Sequence, residues 1–482
     1  MSPTSRSFTR EEQLAFARLS GEFNPIHLDS VAARRLLFGR DVLHGLQLAL
    51  WAADRWLAGR STRGRFKTFQ VVYRRAVGVD EPVGFAIEES APDRARVEVN
   101  ADGASVLTAE FAWEADDRGG IEIPAGAFDR SAPWERSDAE LRECAGSLAL
   151  RLDRSLASQL FPSLARLMPA DQLAAILATT RMVGMEAPGL HSICRSLNLS
   201  DAAGRMEPSL AYCASRYDPR FSLLDLRVEG PGLTGTVSTG IRPEPVRQAS
   251  YSTAREQVGR DEFAGHCALV IGGSRGLGEA ASKLLAAGGA DVRLTWHRGE
   301  ADAQRVVVDI RAGGGAAAPF QYDVLRDGDR LTELLAGWQP TLLCYFATPY
   351  MFAGSQGRFS DALFRTFCDV YVRGFHSTLR SAGEVKGVLY PSSTALDEVL
   401  PNLAEFAAAK SAGESLCRSL AAAQPGVRFH VPRFPRLATD QTATLLRVPA
   451  MDPIEPILTA LRELTGTARV ALPPSPSGRG SG

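Results

Sequence analysis

The sequence lacks a Cys-x-x-Cys pair, a strong charge of either sign and any long apolar run, and each absence removes a class of protein. Its seven cysteines, Cys144, Cys194, Cys213, Cys267, Cys344, Cys368 and Cys417, are scattered away from histidine clusters. That spacing argues against a zinc site or a disulfide framework and for reduced, buried thiols in a cytosolic protein. With 54 Lys and Arg against 55 Asp and Glu, the formal net charge is -1, too small a field to recruit nucleic acid. No run reaches the roughly 18 apolar residues of a membrane span, and the start, Met-Ser-Pro-Thr-Ser-Arg, has no signal-peptide core. The expectation is a cytoplasmic protein with no membrane, nucleic-acid or metal partner.

At 482 residues, with 45% hydrophobic and 23% charged, the chain has material for roughly three domains. Residues 1–117 open with a helix that Thr9 caps and that turns Leu14, Phe16, Ala17 and Leu19 toward a core. A loop, Glu22 to His27, interrupts it. The run Leu46 to Ala53 has almost no polar face and predicts a buried helix. Strands follow at 66–75, 83–89, 95–99 and 106–114, so one apolar helix wrapped by an antiparallel sheet is expected. Residues 118–150 read as a linker and a helix with a capping box at Ser137 and Glu140.

Residues 151–250 repeat the pattern more weakly, with a helix around 173–180 and strands at 210–217, 221–228 and 232–239. In this repeat Val183 to Ser192 is set opposite Val42 to Gly45, which places His191 at a helix start. No carboxylate accompanies it, so His191 is read as structural or as lining an acyl pocket. From residue 260 to 470 strands and helices alternate, the mark of a doubly wound parallel sheet. The tail, 471–482, holds too little apolar surface to order itself.

Chemistry concentrates first at Ser20-Gly21-Glu22-Phe23-Asn24-Pro25-Ile26-His27-Leu28-Asp29, followed by Val42-Leu43-His44-Gly45. A carboxylate and an imidazole five residues apart, pinned by the Asn24-Pro25 turn, can divide acid and base work. Gly45 at the head of an apolar helix offers backbone amides to a developing negative charge. The bland alternative is that Asn24, His27 and Asp29 only hydrogen-bond a turn. The two segments resemble the MaoC-like hotdog hydratases and dehydratases, including (R)-specific enoyl-CoA hydratases, whose loop reads Ser-Gly-Asp-x-Asn-Pro-x-His. The resemblance implies that Glu22, Asn24, His27 and Gly45 form the catalytic set for adding water to, or removing it from, an acyl thioester carried by CoA or acyl carrier protein. Glu22 stands where the family has Asp, which lengthens the arm by roughly one C–C bond, about 1.5 Å, against a tolerance on the order of 1 Å.

The second concentration is Gly272-Gly273-Ser274-Arg275-Gly276-Leu277-Gly278, between a strand and a helix, where glycines admit a pyrophosphate to the helix N-terminus. With Asp323-Val324, Ala347, Ser393 and Lys410, this stretch resembles the short-chain dehydrogenase/reductase family. The resemblance implies that Gly272, Ser274, Arg275, Gly276, Leu277, Gly278, Arg298, Asp323, Val324, Ala347 and Lys410 bind a nicotinamide cofactor, with a homodimer through this domain. No acid closes the second strand, while Arg275 and Arg298 lie near the expected ribose, so NADPH is expected over NADH. Lys410 would hold the ribose and Ser393 orient a carbonyl. The family's tyrosine, four before the lysine, is Phe406, which cannot donate a proton. A degenerate domain is favoured over an active ketoreductase, with Tyr345, Tyr371 and Tyr390 as conceivable substitutes.

These readings combine as an α+β double hotdog followed by an α/β Rossmann domain, acting as a hydratase/dehydratase on 3-hydroxyacyl and 2-enoyl thioesters of fatty-acid or polyketide type. Two alternatives stay open: an NADPH-dependent 3-ketoacyl thioester reductase whose hotdogs only bind acyl chains, and a non-catalytic acyl-binding scaffold.

Overall fold

Thr9 Oγ1 accepts a hydrogen bond from Glu12 N–H and the Glu12 carboxylate accepts one from Thr9 N–H, so α1 (Arg10–Ser20) starts at the expected capping box. The computed structural model describes residues 5–467 except 117, 203–205, 355–356, 399 and 446–447; the predicted tail lies outside them. The chain divides into two units, 1–244 with 444–448, and 245–443 with 449 onward.

In the first unit α1 is followed by α2 (Pro25–Leu28), α3 (Ser30–Ala33) and α4 (Gly45–Leu57), then β1 (Gly64–Tyr73), β2 (Val83–Ala91), β3 (Arg94–Ala101) and β4 (Ala104–Ala115). Next come α5 (Asp138–Arg142), β5 (Ala145–Ala149), α6 (Arg154–Leu160), α7 (Pro162–Leu167) and α8 (Ala170–Arg181). A π-helical turn, Met182–Glu186, extends α8, and β6 (Ser192–Ser200), β7 (Ser209–Asp218), β8 (Leu223–Gly230) and β9 (Leu233–Ile241) follow. All nine strands form one sheet in the order β2-β3-β4-β1-β6-β9-β8-β7-β5. Read outward from the antiparallel β1–β6 pair at its centre, the two halves repeat each other, and each covers its own apolar helix, α4 or α8.

Three expectations change. Leu14 is exposed rather than buried, because it lies off the stripe formed by Gln13, Phe16, Ala17 and Ser20. The stretch read as linker supplies β5, which pairs with β7. The alignment of Val183 to Ser192 with Val42 to Gly45 is wrong: α8 is the counterpart of α4, so Val183 and Gly184 lie past its C-terminal end, and His191 leads into β6. The Pro188-Gly189 pair closes the segment after a helix instead of opening one.

The second unit begins with α9 (Tyr251–Gln257) and continues β10 (Cys267–Ile271), α10 (Gly276–Ala287), β11 (Asp291–Trp296), α11 (Glu300–Ala312), β12 (Ala316–Gln321), α12 (Leu331–Leu335) and β13 (Leu342–Tyr345). Then come α13 (Asp361–Cys368), a π-helical turn Asp369–Gly374, α14 (Phe375–Ser381), β14 (Gly387–Leu389), β15 (Ser392–Ser393), α15 (Ala404–Ala423), β16 (Arg428–His430), β17 (Arg433–Phe434) and α16 (Ile454–Thr465). Six parallel strands run β12-β11-β10-β13-β14-β16, the 3-2-1-4-5-6 order of a dinucleotide fold, with its crevice where β10 meets β13.

Candidate active site and nucleotide site

Gly21 ends α1 with a φ of +82°, a left-handed conformation that glycine adopts freely, and the chain turns inward so that Glu22 is 2% exposed. Asn24 then does two jobs. Its Oδ1 accepts from Ile26 N–H at 3.2 Å and caps α2, with Pro25 at the first helical position. Its Nδ2 donates to the carbonyls of Gly184, Gly189 and Leu190 at 3.0, 3.2 and 3.1 Å. The loop that carries the carboxylate is thereby clamped to the segment after α8.

On α2, His27 places Nε2 3.3 Å from Glu22 Oε2, and His44, the residue before α4, places its Nε2 3.2 Å from the same oxygen. The other ring nitrogens settle the tautomers. His27 Nδ1 lies 2.7 Å from Val42 O, a pure acceptor, so it carries the hydrogen. His44 Nδ1 lies 2.8 Å from Gln13 Oε1, an oxygen that already accepts His44 N–H at 3.1 Å, so it carries its hydrogen as well. His44 Nε2 also lies 3.3 Å from Glu22 O, a pure acceptor, so only the His27 Nε2 lone pair is fixed toward Glu22, and the proton between those two belongs to the carboxyl. Burial accounts for this: it pushes Glu22 up to about 8, against weaker lowering by Asn24 N–H, Thr180 and Arg242. Burial, with Arg242 nearby, holds His27 down at about 4, and burial and His27 hold His44 well below its usual range.

The longer arm of Glu22 has its own accommodation. A Cβ on Gly184 would come within 2.4 Å of Glu22 Oε1 and 2.6 Å of its Cδ and Cγ. Glycine in the π-helical turn thus provides the space that the Glu22 side chain occupies. Gly45 is glycine for a similar reason, since a Cβ there would lie 2.7 Å from the Tyr73 ring. The first amides of α4 point from this position without a side-chain cap.

The ligand atoms of Glu22, His27 and His44 lie within 4.8 Å of one another, but the two imidazoles are stacked, 4.0 Å between centroids and 23° between planes. An ion in the plane of one ring would sit well out of the plane of the other, a geometry that disfavours chelation by both imidazoles. The sequence reading used His44 only to mark a helix start; its place in the His-Gly pair was the available signal. Thr180 Oγ1, 3.4 Å from Glu22 Oε2, and Arg242, 2% exposed, left no signal. Arg242 spans Ser192 O and Leu190 O, and its Nη1 is buried without a partner among the described residues. His191 sits apart, 3.2 Å from exposed Glu135.

In the second unit the glycine loop has the shape a pyrophosphate requires. Gly272 and Gly276 have φ of +75° and +55°, and a Cβ on Gly278 would meet Gly272 O at 2.2 Å. Thr295 Oγ1 accepts Gly272 N–H at 2.9 Å, Ser274 and Leu277 border the turn, and Arg275 precedes α10 without a side-chain cap, leaving its first amides for an anion. A Cβ on Gly272 would lie 3.0 Å from Ala347 N, so the loops after β10 and β13 meet at the crevice. The donors and the open cradle fit a dinucleotide. Arg298 is exposed beyond β11, while Arg275 lies 3.8 Å from Asp440. Asp323 accepts Leu325 N–H at 2.9 Å, and Val324 packs toward Phe367 and Phe406.

The catalytic side of this crevice is altered. Phe406 packs edge-on against Phe367 and Tyr371. Lys410 donates to Pro391 O at 2.7 Å and lies under the Tyr371 and Tyr390 rings, and burial lowers its ammonium to about 7. Ser393 Oγ accepts Ala395 N–H. Of the three tyrosines, Tyr345 and Tyr390 donate to Val370 O and Tyr371 O, whereas Tyr371 alone reaches an exposed side chain, Thr348, at 2.5 Å.

The folds and sites define a chain that joins a hydratase-type domain to an oxidoreductase-type domain. Residues 2–109 match the family model of the MaoC like domain and residues 266–341 that of short chain dehydrogenase. The chain therefore carries a MaoC-like domain followed by a short-chain dehydrogenase/reductase domain. It is 47% identical over 45 residues to the (R)-specific enoyl-CoA hydratase of Aeromonas caviae, covering 9% of this chain and 34% of that protein. It is 42% identical over 62 residues to the short-chain dehydrogenase/reductase homolog YusS of Bacillus subtilis, covering 13% and 57%. Over 165 residues it is 30% identical to an oxidoreductase of Methylorubrum extorquens, covering 33% and 66%. The chain thus spans about one third to two thirds of the length of these relatives.

Proposed function

We propose that the chain is a hydratase/dehydratase that interconverts 2-enoyl and 3-hydroxyacyl thioesters of CoA or acyl carrier protein, and that its first unit is a double hotdog with one catalytic loop. The observation that carries this reading is the buried 3.3 Å contact between the Glu22 carboxyl and His27 Nε2, with the other ring nitrogen of His27 committed to Val42 O. In hydration, His27 Nε2 takes a proton from water as the oxygen adds to Cβ, and Glu22 delivers its proton to Cα. The proton on His27 then returns to Glu22 across their contact, and dehydration runs the same steps backwards. Asn24 holds the loop, and the α4 amides at Gly45 face the thioester oxygen as it gains charge. Acid and base together contribute on the order of 10²–10⁴-fold each.

In the second unit, the loop 272–278 would hold the pyrophosphate of NADPH, with Arg275 and Arg298 toward a 2′-phosphate; the cofactor supplies hydride chemistry when bound. Phe406 in place of a proton donor favours a degenerate reductase that retains binding. Purified protein incubated with crotonyl-CoA, followed by enoyl absorbance, is expected to show turnover that His27→Ala abolishes. Equal rates in the two proteins would sink the assignment.

A further inference from the structure

Tyr73 is the last residue of β1, with its ring on the sheet face that covers α4. The ring lies flat enough against Gly45 that a Cβ there would come within 2.7, 3.0 and 3.3 Å of its Cε1, Cδ1 and Cζ. The hydroxyl at its tip is buried and has no hydrogen-bond partner among the described residues. Buried phenols normally find an acceptor, and phenylalanine would fill the same space without the stranded oxygen. Burial, reinforced by the Cys194 thiol, keeps this hydroxyl protonated well above the usual tyrosine range. Cys194 is itself raised to about 12, chiefly by burial. The result is a permanent donor with nothing to donate to, its ring against the first residue of a 13-residue helix whose N-terminus has no side-chain cap.

We propose that the Tyr73 hydroxyl is a catalytic hydrogen-bond donor to the thioester carbonyl oxygen of the substrate, acting beside the α4 amides headed by Gly45. This rests on the hydratase reading and adds a residue to it. When water adds to Cβ, the displaced π electrons move through Cα toward the carbonyl, whose oxygen gains negative charge until Glu22 protonates Cα. Tyr73 stabilises that oxygen and keeps its own proton throughout, so no redox or covalent change falls on it. The ring anchors on Gly45, which fixes the donor before substrate arrives and spares reorganisation during the reaction.

Tyr73→Phe in the full chain tests this, because it removes one oxygen and leaves the ring contact. Hydration of crotonyl-CoA is expected to lose on the order of 10²-fold in kcat with KM little changed, while Tm stays equal or rises as the stranded hydroxyl disappears. A kcat within about twofold of wild type would overturn the proposal. A second readout uses butyryl-CoA, which is saturated and cannot be hydrated. Its ¹³C-labelled thioester carbonyl stretch should shift to lower frequency on binding wild type and shift less on binding Tyr73→Phe. Equal shifts, or no binding, would overturn it as well. If wild type turns over no enoyl thioester, the hydratase reading fails, and the butyryl-CoA measurement still decides the role of Tyr73.

Discussion

Glu22 is a carboxyl placed where it is most costly to ionise, and the residues around it determine what that placement can do. Its proton is retained up to about pH 8, and His27 stays neutral down to about pH 4. Both partners hold their working forms only between these values. The kcat/KM profile for hydration is therefore expected to be flat from about pH 4 to 8, falling on the acid side as His27 gains a proton and on the basic side as Glu22 loses one. A pH-rate profile with its basic limb at an ordinary carboxylate value would contradict this. Gly184 gives a second test, since a Cβ there would meet Oε1, Cδ and Cγ of Glu22 at 2.4–2.6 Å. Gly184→Ala should displace the carboxyl by about 1 Å and cost on the order of 10²-fold in kcat.

The helices and strands succeed or fail by how their buried polar groups are satisfied. β1 pairs with β6 only from Thr68 onward, so Phe66, although opposite Trp113 of β4, has no strand partner on its other side. Gln172, fully buried on α8, fills the gap: its Oε1 accepts Phe66 N–H at 2.9 Å, and its Nε2 donates to Phe66 O at 2.9 Å and Gly232 O at 3.2 Å. One side chain thus ties α8 to β1 and to the turn before β9. Gln172→Leu would leave these backbone groups buried and unpaired, with an expected loss of about 2–4 kcal/mol in urea unfolding of the full chain. The same logic explains why α1, α4 and the β2–β3–β4 meander were legible in sequence while β5 and the placement of His191 were not. Local caps and periodicity are encoded within a few residues, whereas β5 is a strand only because β7 pairs with it.

The MaoC-like and the short-chain dehydrogenase domains lie in separate units of the chain. Among the described residues no helix is long and apolar enough to cross a membrane, and each unit contains its own buried cores. Gly278→Val would drive a side chain into Gly272 O, 2.2 Å from the Cβ position. It is expected to abolish NADPH binding in calorimetry and leave crotonyl-CoA hydration intact, whereas His27→Ala should do the reverse. Loss of both activities in either variant would show that the units depend on each other.

The sequence by itself determined the parts whose information is local: the Glu22 to His27 loop, the Asn24 cap, the glycine loop of 272–278 with its strand and helix, and the missing hydroxyl at Phe406. Only the tertiary structure decided which groups meet across long separations. Glu22 finds Gly184 and Thr180 more than 150 residues away, Asn24 is clamped by three carbonyls of the other half, and His27 stacks on His44 beside the Glu22 carboxyl. The reason is physical. Caps and turns are set by neighbours along the chain, but the protonation of a buried carboxyl and the room for its side chain are set by whatever the fold packs against it.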